Sequence, residues 1–224
     1  MFLWSSHASP VDPAFMALAA KWVGNVENDL IEWVWLGFER LRALSPAFDG
    51  RDLERSITQL LTAAIDDVVP GEAPYYVQHS PFERETMLPP PAQPPAYDLA
   101  FVLRADPRVM WPAEAKILNS PRALAEYLAD IREQFLTCRY APFSSSGAML
   151  GYLLDGSELE TLTNVSARLG VEFEDTPRRN PPQFHRISLH NRLIPAGKTY
   201  PTPFRCHHLI LGFHGLERER SAVS

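Results

Sequence analysis

Tyr97-Asp98-Leu99-Ala100-Phe101-Val102-Leu103 and Met110-Trp111-Pro112-Ala113-Glu114-Ala115-Lys116-Ile117-Leu118 are two apolar runs separated by a polar turn at residues 104–108. Each is short enough for a strand. The first opens with a carboxylate; the second carries a carboxylate and an ammonium two residues apart. Strand side chains alternate with a period of two, so Glu114 and Lys116 share one face and Ala113, Ala115 and Ile117 the other. Paired as a hairpin, the runs bring Asp98 towards Glu114. Two acids and a lysine then converge at a sheet edge, a constellation suited to a divalent metal and to proton transfer.

Lysine is scarce here: Lys21, Lys116 and Lys198 are the only three, beside 16 Glu. Chance supplies about 0.2 Glu-x-Lys matches at that composition. A charged pair inside so apolar a run also needs a physical reason, because unpaired buried charge is costly. The competing interpretation is an edge strand with a solvated Glu and Lys.

The 224 residues suffice for one large domain with a helical extension, and 46% hydrophobic content suffices for a core. No apolar run approaches the roughly 18 residues of a membrane span. Residues 1–13 lack the basic start of a secretory leader. Cys138 and Cys206 are too few for a disulfide framework or a thiolate zinc site, which points to reduced thiols and a cytoplasmic protein. The net charge of −6 is uneven: residues 1–176 carry −12 and residues 177–224 carry +6. An acidic total argues against non-specific coating of nucleic acid. The basic tail, with Arg178, Arg179, Arg218 and Arg220, suits phosphate contacts or is simply solvated.

Taken in order, residues 11–44 read as helical, with Phe15, Leu18, Ala19 and Trp22 at helical spacing and Gly24-Asn25 permitting a break. Leu30, Ile31, Val34, Trp35, Phe38 and Leu41 then form a stripe wide enough to pack on the body, on a second copy or on a protein partner. Ser45-Pro46 ends it. Asp52 is the expected N-cap of a helix burying Leu53, Ile57, Leu60, Leu61, Ala64 and Ile65. Glu54 borders that buried stripe; it either reaches inward or complements the helix dipole. Tyr75-Tyr76-Val77 and residues 83–88 are candidate strand fragments, followed by a stiff bridge at Pro89-Pro90-Pro91 and Pro94-Pro95.

Ser120-Pro121 starts a helix whose Leu124, Leu128, Ile131 and Phe135 line one face, with Tyr127 and Gln134 sharing another. Residues 148–154 read as a strand. Ser157 with Glu160 forms a capping box, and Gly170 ends that helix. Residues 184–193 and 204–213 read as closing strands, the first alternating Phe184, Arg186, Ser188, His190 and Arg192 against His185, Ile187, Leu189 and Asn191. Ser188, His190 and Arg192 either bind phosphate or cap a polar sheet edge. His207 and His208 point to opposite faces, which disfavours zinc. Cys206 beside His207 lacks an orienting third group, so a buried thiol is favoured over a nucleophile. No phosphate-cradling glycine motif occurs. The predicted class is α/β, a mixed sheet with helices on both faces.

These residues resemble the PD-(D/E)xK, or restriction-endonuclease-like, nuclease superfamily. Asp98, Glu114 and Lys116 match its D…ExK signature; Glu54 matches the acid on the helix before the strands, and Gln134 the polar residue on the helix after them. The resemblance covers about residues 50–155; Tyr97 stands where the name motif has proline. It implies a restriction-endonuclease-like core with a central mixed β-sheet flanked by helices at residues 46–224, preceded by a helical extension at 1–45. It further implies an Mg2+- or Mn2+-dependent endonuclease that hydrolyses phosphodiesters, with DNA the first candidate substrate and bacterial defence or restriction the setting. Asp98, Glu114 and Glu54 would hold the metal, Lys116 would orient or deprotonate water, and Gln134 would position water or phosphate. The alternative is a non-catalytic scaffold on the same fold, binding a partner or nucleic acid. Homodimerisation or a protein partner would use residues 11–44, and no membrane is involved.

Overall fold

The 99–103 and 110–117 alternation does build a hairpin. In the computed structural model, which describes residues 13–83, 85, 95–176 and 183–214, strand β2 (Leu99–Leu103) pairs antiparallel with β3 (Met110–Ile117), Leu99 opposite Ala113. Strand β1 (Tyr75–His79) adds antiparallel to β2, Tyr75 opposite Leu103. Strand β4 (Ser146–Leu153) lies parallel to β3, so the chain must cross over; helix α3 (Pro121–Ala129) and a π-helical continuation, Asp130–Phe135, supply the crossover. Strand β7 (Phe204–Gly212) runs parallel to β4, and β6 (His185–His190) and the two-residue β5 (Glu174–Asp175) complete a mixed sheet ordered β1-β2-β3-β4-β7-β6-β5.

Helices α1 (Pro13–Leu44) and α2 (Leu53–Asp66) cover one sheet face; α3 and α4 (Glu158–Leu169) cover the other. The fold is therefore α/β, a central mixed sheet flanked by helices. On β3, Ala113 and Ala115 enter the core beneath α1 and α2, whereas Met110 joins the α3 side. The stripe Leu30, Ile31, Val34, Trp35, Phe38 and Leu41 is buried in the same core as the sheet, so it is consumed within the chain. The break that Gly24-Asn25 permits is not taken: α1 runs unbroken through it. Of the candidate strand fragment 83–88, residues 84 and 86–88 lie outside the described residues and residues 83 and 85 are not in a strand; a single bridge between Phe82 and Ala96 stands beside them. The prolines at 89–91 and 94, the arginines at 178, 179, 218 and 220, and the Leu18 and Trp22 side chains lie outside the described residues.

Caps follow their chemistry. Asp52 accepts the Arg55 amide at 3.3 Å, Ser120 the Ala123 amide at 3.1 Å, and Ser157 the Glu160 amide at 3.4 Å. Gly170 ends α4 at φ +70°, where a side chain would be strained.

A buried polar chain ties α1 to the sheet. Trp111 Nε1 donates to Ser146 Oγ at 2.9 Å, and Ser146 Oγ donates to Glu27 Oε2 at 3.0 Å. Glu27 Oε1 contacts His207 Nε2, and Arg205 stands 3.5 Å away. Burial pushes the Glu27 carboxyl up, but the hydrogen bond and charge of His207, then Arg205 and Ser146, outweigh it, and the net direction is down. A carboxyl depressed on folding stabilises fully above its unfolded value near 4.5, and loses that contribution as pH falls through the folded value. Glu27→Gln is expected to lose about 1–2 kcal/mol at pH 7. Urea unfolding should show the gap to wild type closing below pH 4.5; a gap that stays constant to lower pH would contradict the assignment.

Candidate active site

The hairpin register, carried one residue beyond its last pair, sets Asp98 opposite Glu114. Asp98 Oδ2 accepts the Ala115 amide at 2.7 Å, so the carboxylate is tied to the strand between Glu114 and Lys116. Glu54 arrives from α2. Its Oε2 accepts the Ile117 amide at 2.8 Å, at the end of β3. Thr58, one turn on, steadies that part of the helix: Oγ1 donates to the Glu54 carbonyl at 2.8 Å and meets Tyr152 Oη of β4 at 3.0 Å. Glu54 thus reaches inward, and serves as more than a helix-dipole partner.

Lys116 stands at the centre. Its Nζ lies 3.6 Å from Glu54 Oε1, 3.7 Å from Glu114 Oε1 and 3.4 Å from Asp130 Oδ2, and donates to the Ala115 carbonyl at 3.0 Å. Burial lowers the lysine's pKa, but Glu114, Asp130, Glu54 and Asp98 outweigh it, and the ammonium is held charged. Glu114 is 8% exposed. Burial first, then the Asp98 charge, pushes its carboxyl well above the usual range, against the pull of Lys116. Burial likewise raises Glu54 and Asp130, each partly offset by Lys116. A negative cluster this close is unfavourable unless a cation stands in it.

Asp130 was not singled out from the sequence. It opens the π-helical turn after α3, four residues before Gln134, and a helical-wheel comparison with Gln134 was the available signal. Gln134 itself makes no hydrogen bond to Asp98, Glu114 or Lys116; its buried Oε1 has no hydrogen-bond partner. Buried oxygens of Glu114 (Oε2) and Asp130 (Oδ2) also accept none. On the β1 side, His79 closes its strand beside Asp98, where Ser80 N donates to the Asp98 carbonyl at 3.0 Å. Burial and then Arg55 lower the His79 pKa, and Asp98 opposes them.

The chemistry of the donor set fits a hard divalent cation: Asp98, Glu114 and Glu54 offer carboxylate oxygen, the buried Glu114 Oε2 has no hydrogen bond, Asp130 Oδ2 meets only Lys116, and the Ala115 carbonyl faces the centre. Among the described residues, no three Asp, Glu, His or Cys side chains already stand in a metal-holding arrangement. Here the Lys116 ammonium stands between the acids.

The closing strands are inward-looking. Ser188 Oγ meets His190 Nε2 at 2.7 Å and His208 Nε2 at 2.8 Å, and His208 Nδ1 meets Tyr127 Oη at 2.9 Å. Burial holds His208 far below its usual value, hence neutral. Arg192 is buried on backbone carbonyls rather than poised for phosphate. His207 and His208 do take opposite faces, one towards Glu27 and one towards Tyr127. Cys206 is fully buried and burial pushes its thiol up, which makes it inert. Comparison with known proteins finds no matching family model, no similar curated protein and no similar solved structure.

Proposed function

We propose that this chain is a divalent-metal-dependent nuclease, hydrolysing phosphodiesters of DNA, on a restriction-endonuclease-like core formed by α2, β1, β2, β3, α3 and β4. The observation that carries it is the meeting of Asp98, Glu114, Glu54 and Lys116 at the end of β3. The element order, a helix, a three-strand antiparallel meander, a helix and a parallel strand, supports it. Restriction or defence against foreign DNA is the setting that the resemblance suggests.

Phosphodiesters resist hydrolysis because their anionic oxygens repel hydroxide. Asp98, Glu114 and Glu54 would hold Mg2+ or Mn2+, with the Ala115 carbonyl as a further oxygen. When bound, that ion would neutralise phosphate charge and acidify a water. Backbone amides of Ala115 and Ile117 fix Asp98 and Glu54 through one oxygen each, so the acids are pre-oriented. Lys116 orients the attacking water or donates to the phosphorane oxygens. Water adds to phosphorus and gives up a proton to solvent, the P–O bond to the leaving sugar oxygen breaks, and that oxygen takes up a proton from solvent. Gln134, one turn beyond Asp130, is a candidate for positioning water or phosphate.

The scaffold alternative draws on one observation: Lys116 already neutralises three carboxylates, a self-sufficient ion-pair network. Incubating the protein with plasmid DNA, short single strands and RNA, with Mg2+, with Mn2+ and with EDTA, decides between them. Cleavage that EDTA abolishes supports the nuclease and shows its substrate. Intact nucleic acid under all metal conditions favours the scaffold.

A further inference from the structure

We propose that the Lys116 ammonium occupies a cation seat walled by Asp130, Glu54, Glu114 and the Ala115 carbonyl, and that a divalent cation enters this seat only by displacing it. The inference rests on the nuclease reading and adds two things to it: a role for Asp130, and an order of events.

Four oxygens surround one positive charge. Three belong to carboxylates from three separate elements, α2, β3 and the π-helical turn, and lie 3.4–3.7 Å from Nζ; the fourth is a carbonyl at 3.0 Å. Hard divalent ions take such oxygens at about 2.0–2.6 Å, so the walls would close in by about 1 Å around a smaller, more charged ion. Buried Glu114 keeps Oε2 without a hydrogen bond, and Asp130 Oδ2 likewise accepts none. Glu114 Oε2 stays free of the lysine, and Asp130 Oδ2 meets it only at an ion-pair distance of 3.4 Å, which leaves acceptor capacity for a smaller cation.

An ammonium and a divalent ion cannot share the seat, because like charges about 3 Å apart repel strongly at low dielectric. The ion's arrival would therefore release Lys116 along its flexible four-carbon stem. The lysine becomes available to water or phosphate only once the ion is loaded. Until then it neutralises the acid cluster.

Lysine labelling of the wild-type chain tests this directly, since Lys21, Lys116 and Lys198 are the only lysines and are resolved from the α-amino group residue by residue. Reductive methylation with labelled formaldehyde is followed residue by residue, with and without Ca2+. Lys198, paired with Glu85 at 2.7 Å, is the internal reference. Ca2+ is expected to speed modification of Lys116 by about tenfold and leave Lys198 unchanged. By calorimetry, Lys116→Gln should bind Ca2+ about tenfold more tightly than wild type, and Asp130→Asn about tenfold more weakly. Absence of Ca2+ binding, or binding that leaves Lys116 labelling unmoved or slower, overturns the displacement. Mg2+-dependent cleavage surviving alongside unmoved labelling would overturn the displacement alone. Ca2+-driven release without any cleavage would overturn the nuclease alone.

Discussion

Asp98→Asn is expected to lower the proposed Mg2+-dependent phosphodiester cleavage by about 10³-fold or more, with the unfolding midpoint near that of wild type. The substitution keeps the shape. An amide oxygen at position 98 can still accept the Ala115 amide, now made at 2.7 Å by Oδ2, so the hairpin end stays anchored. What disappears is a negative charge beside Glu114. That charge helps hold the Glu114 carboxyl well above its usual range, so its removal relieves the buried cluster and does not threaten the fold. The loss falls on binding and orienting the cation, and hence on the transition state. Single-turnover cleavage and circular dichroism together check it. A variant within tenfold of wild type would remove Asp98 from the site.

Arg192→Met destabilises the fold by about 3–5 kcal/mol without touching the acid cluster. The guanidinium donates to the carbonyls of Phe135 at 3.0 Å, Tyr140 at 2.6 Å, Ala141 at 3.0 Å and Ser144 at 3.1 Å, and lies 4.7 Å over the Phe204 ring. Methionine fills the space but donates nothing, so the Tyr140 and Ser144 carbonyls lose their donor, while those of Phe135 and Ala141 keep only the backbone amides of Cys138 and Ser144. They belong to the end of the π-helical turn and the loop into β4, the segment that follows Asp130 and Gln134. Urea unfolding measures the loss. A drop under about 1 kcal/mol would mean that water replaces the guanidinium.

The contrast between these two residues shows what periodicity carries. Asp98, Glu114 and Lys116 were legible because a strand's two-residue period and a two-strand register are local rules, and both hold here. Glu54 was legible as a carboxylate on the border of a buried helical stripe, though only the structure supplies its partner, the Ile117 amide. Arg192, Ser188 and His190 share an alternating face that reads as polar and available. The partners of Ser188 and Arg192, His208 and the carbonyls near residue 140, come from other segments, and these turn that face inward. Glu27 was invisible for the same reason: nothing near it hints at a buried His207. Asp130 stands four residues before Gln134, within reach of a helical wheel; what the wheel does not carry is its partner, Lys116 of β3, from another element. Gly24-Asn25 left the choice open. Backbone freedom permits a break there, but α1 continues as one helix, with residues 30–41 packed in the core.

Whether the end of β3 holds a divalent ion is the point on which the functional account stands. Anomalous scattering from crystals grown with Mn2+ locates the ion without reference to activity. The account predicts a peak among the Asp98, Glu114 and Glu54 carboxylates and the Ala115 carbonyl, lost in crystals of Asp98→Asn. Ordered crystals soaked to saturation with no peak at those residues, or with Mn2+ bound only elsewhere, would contradict it.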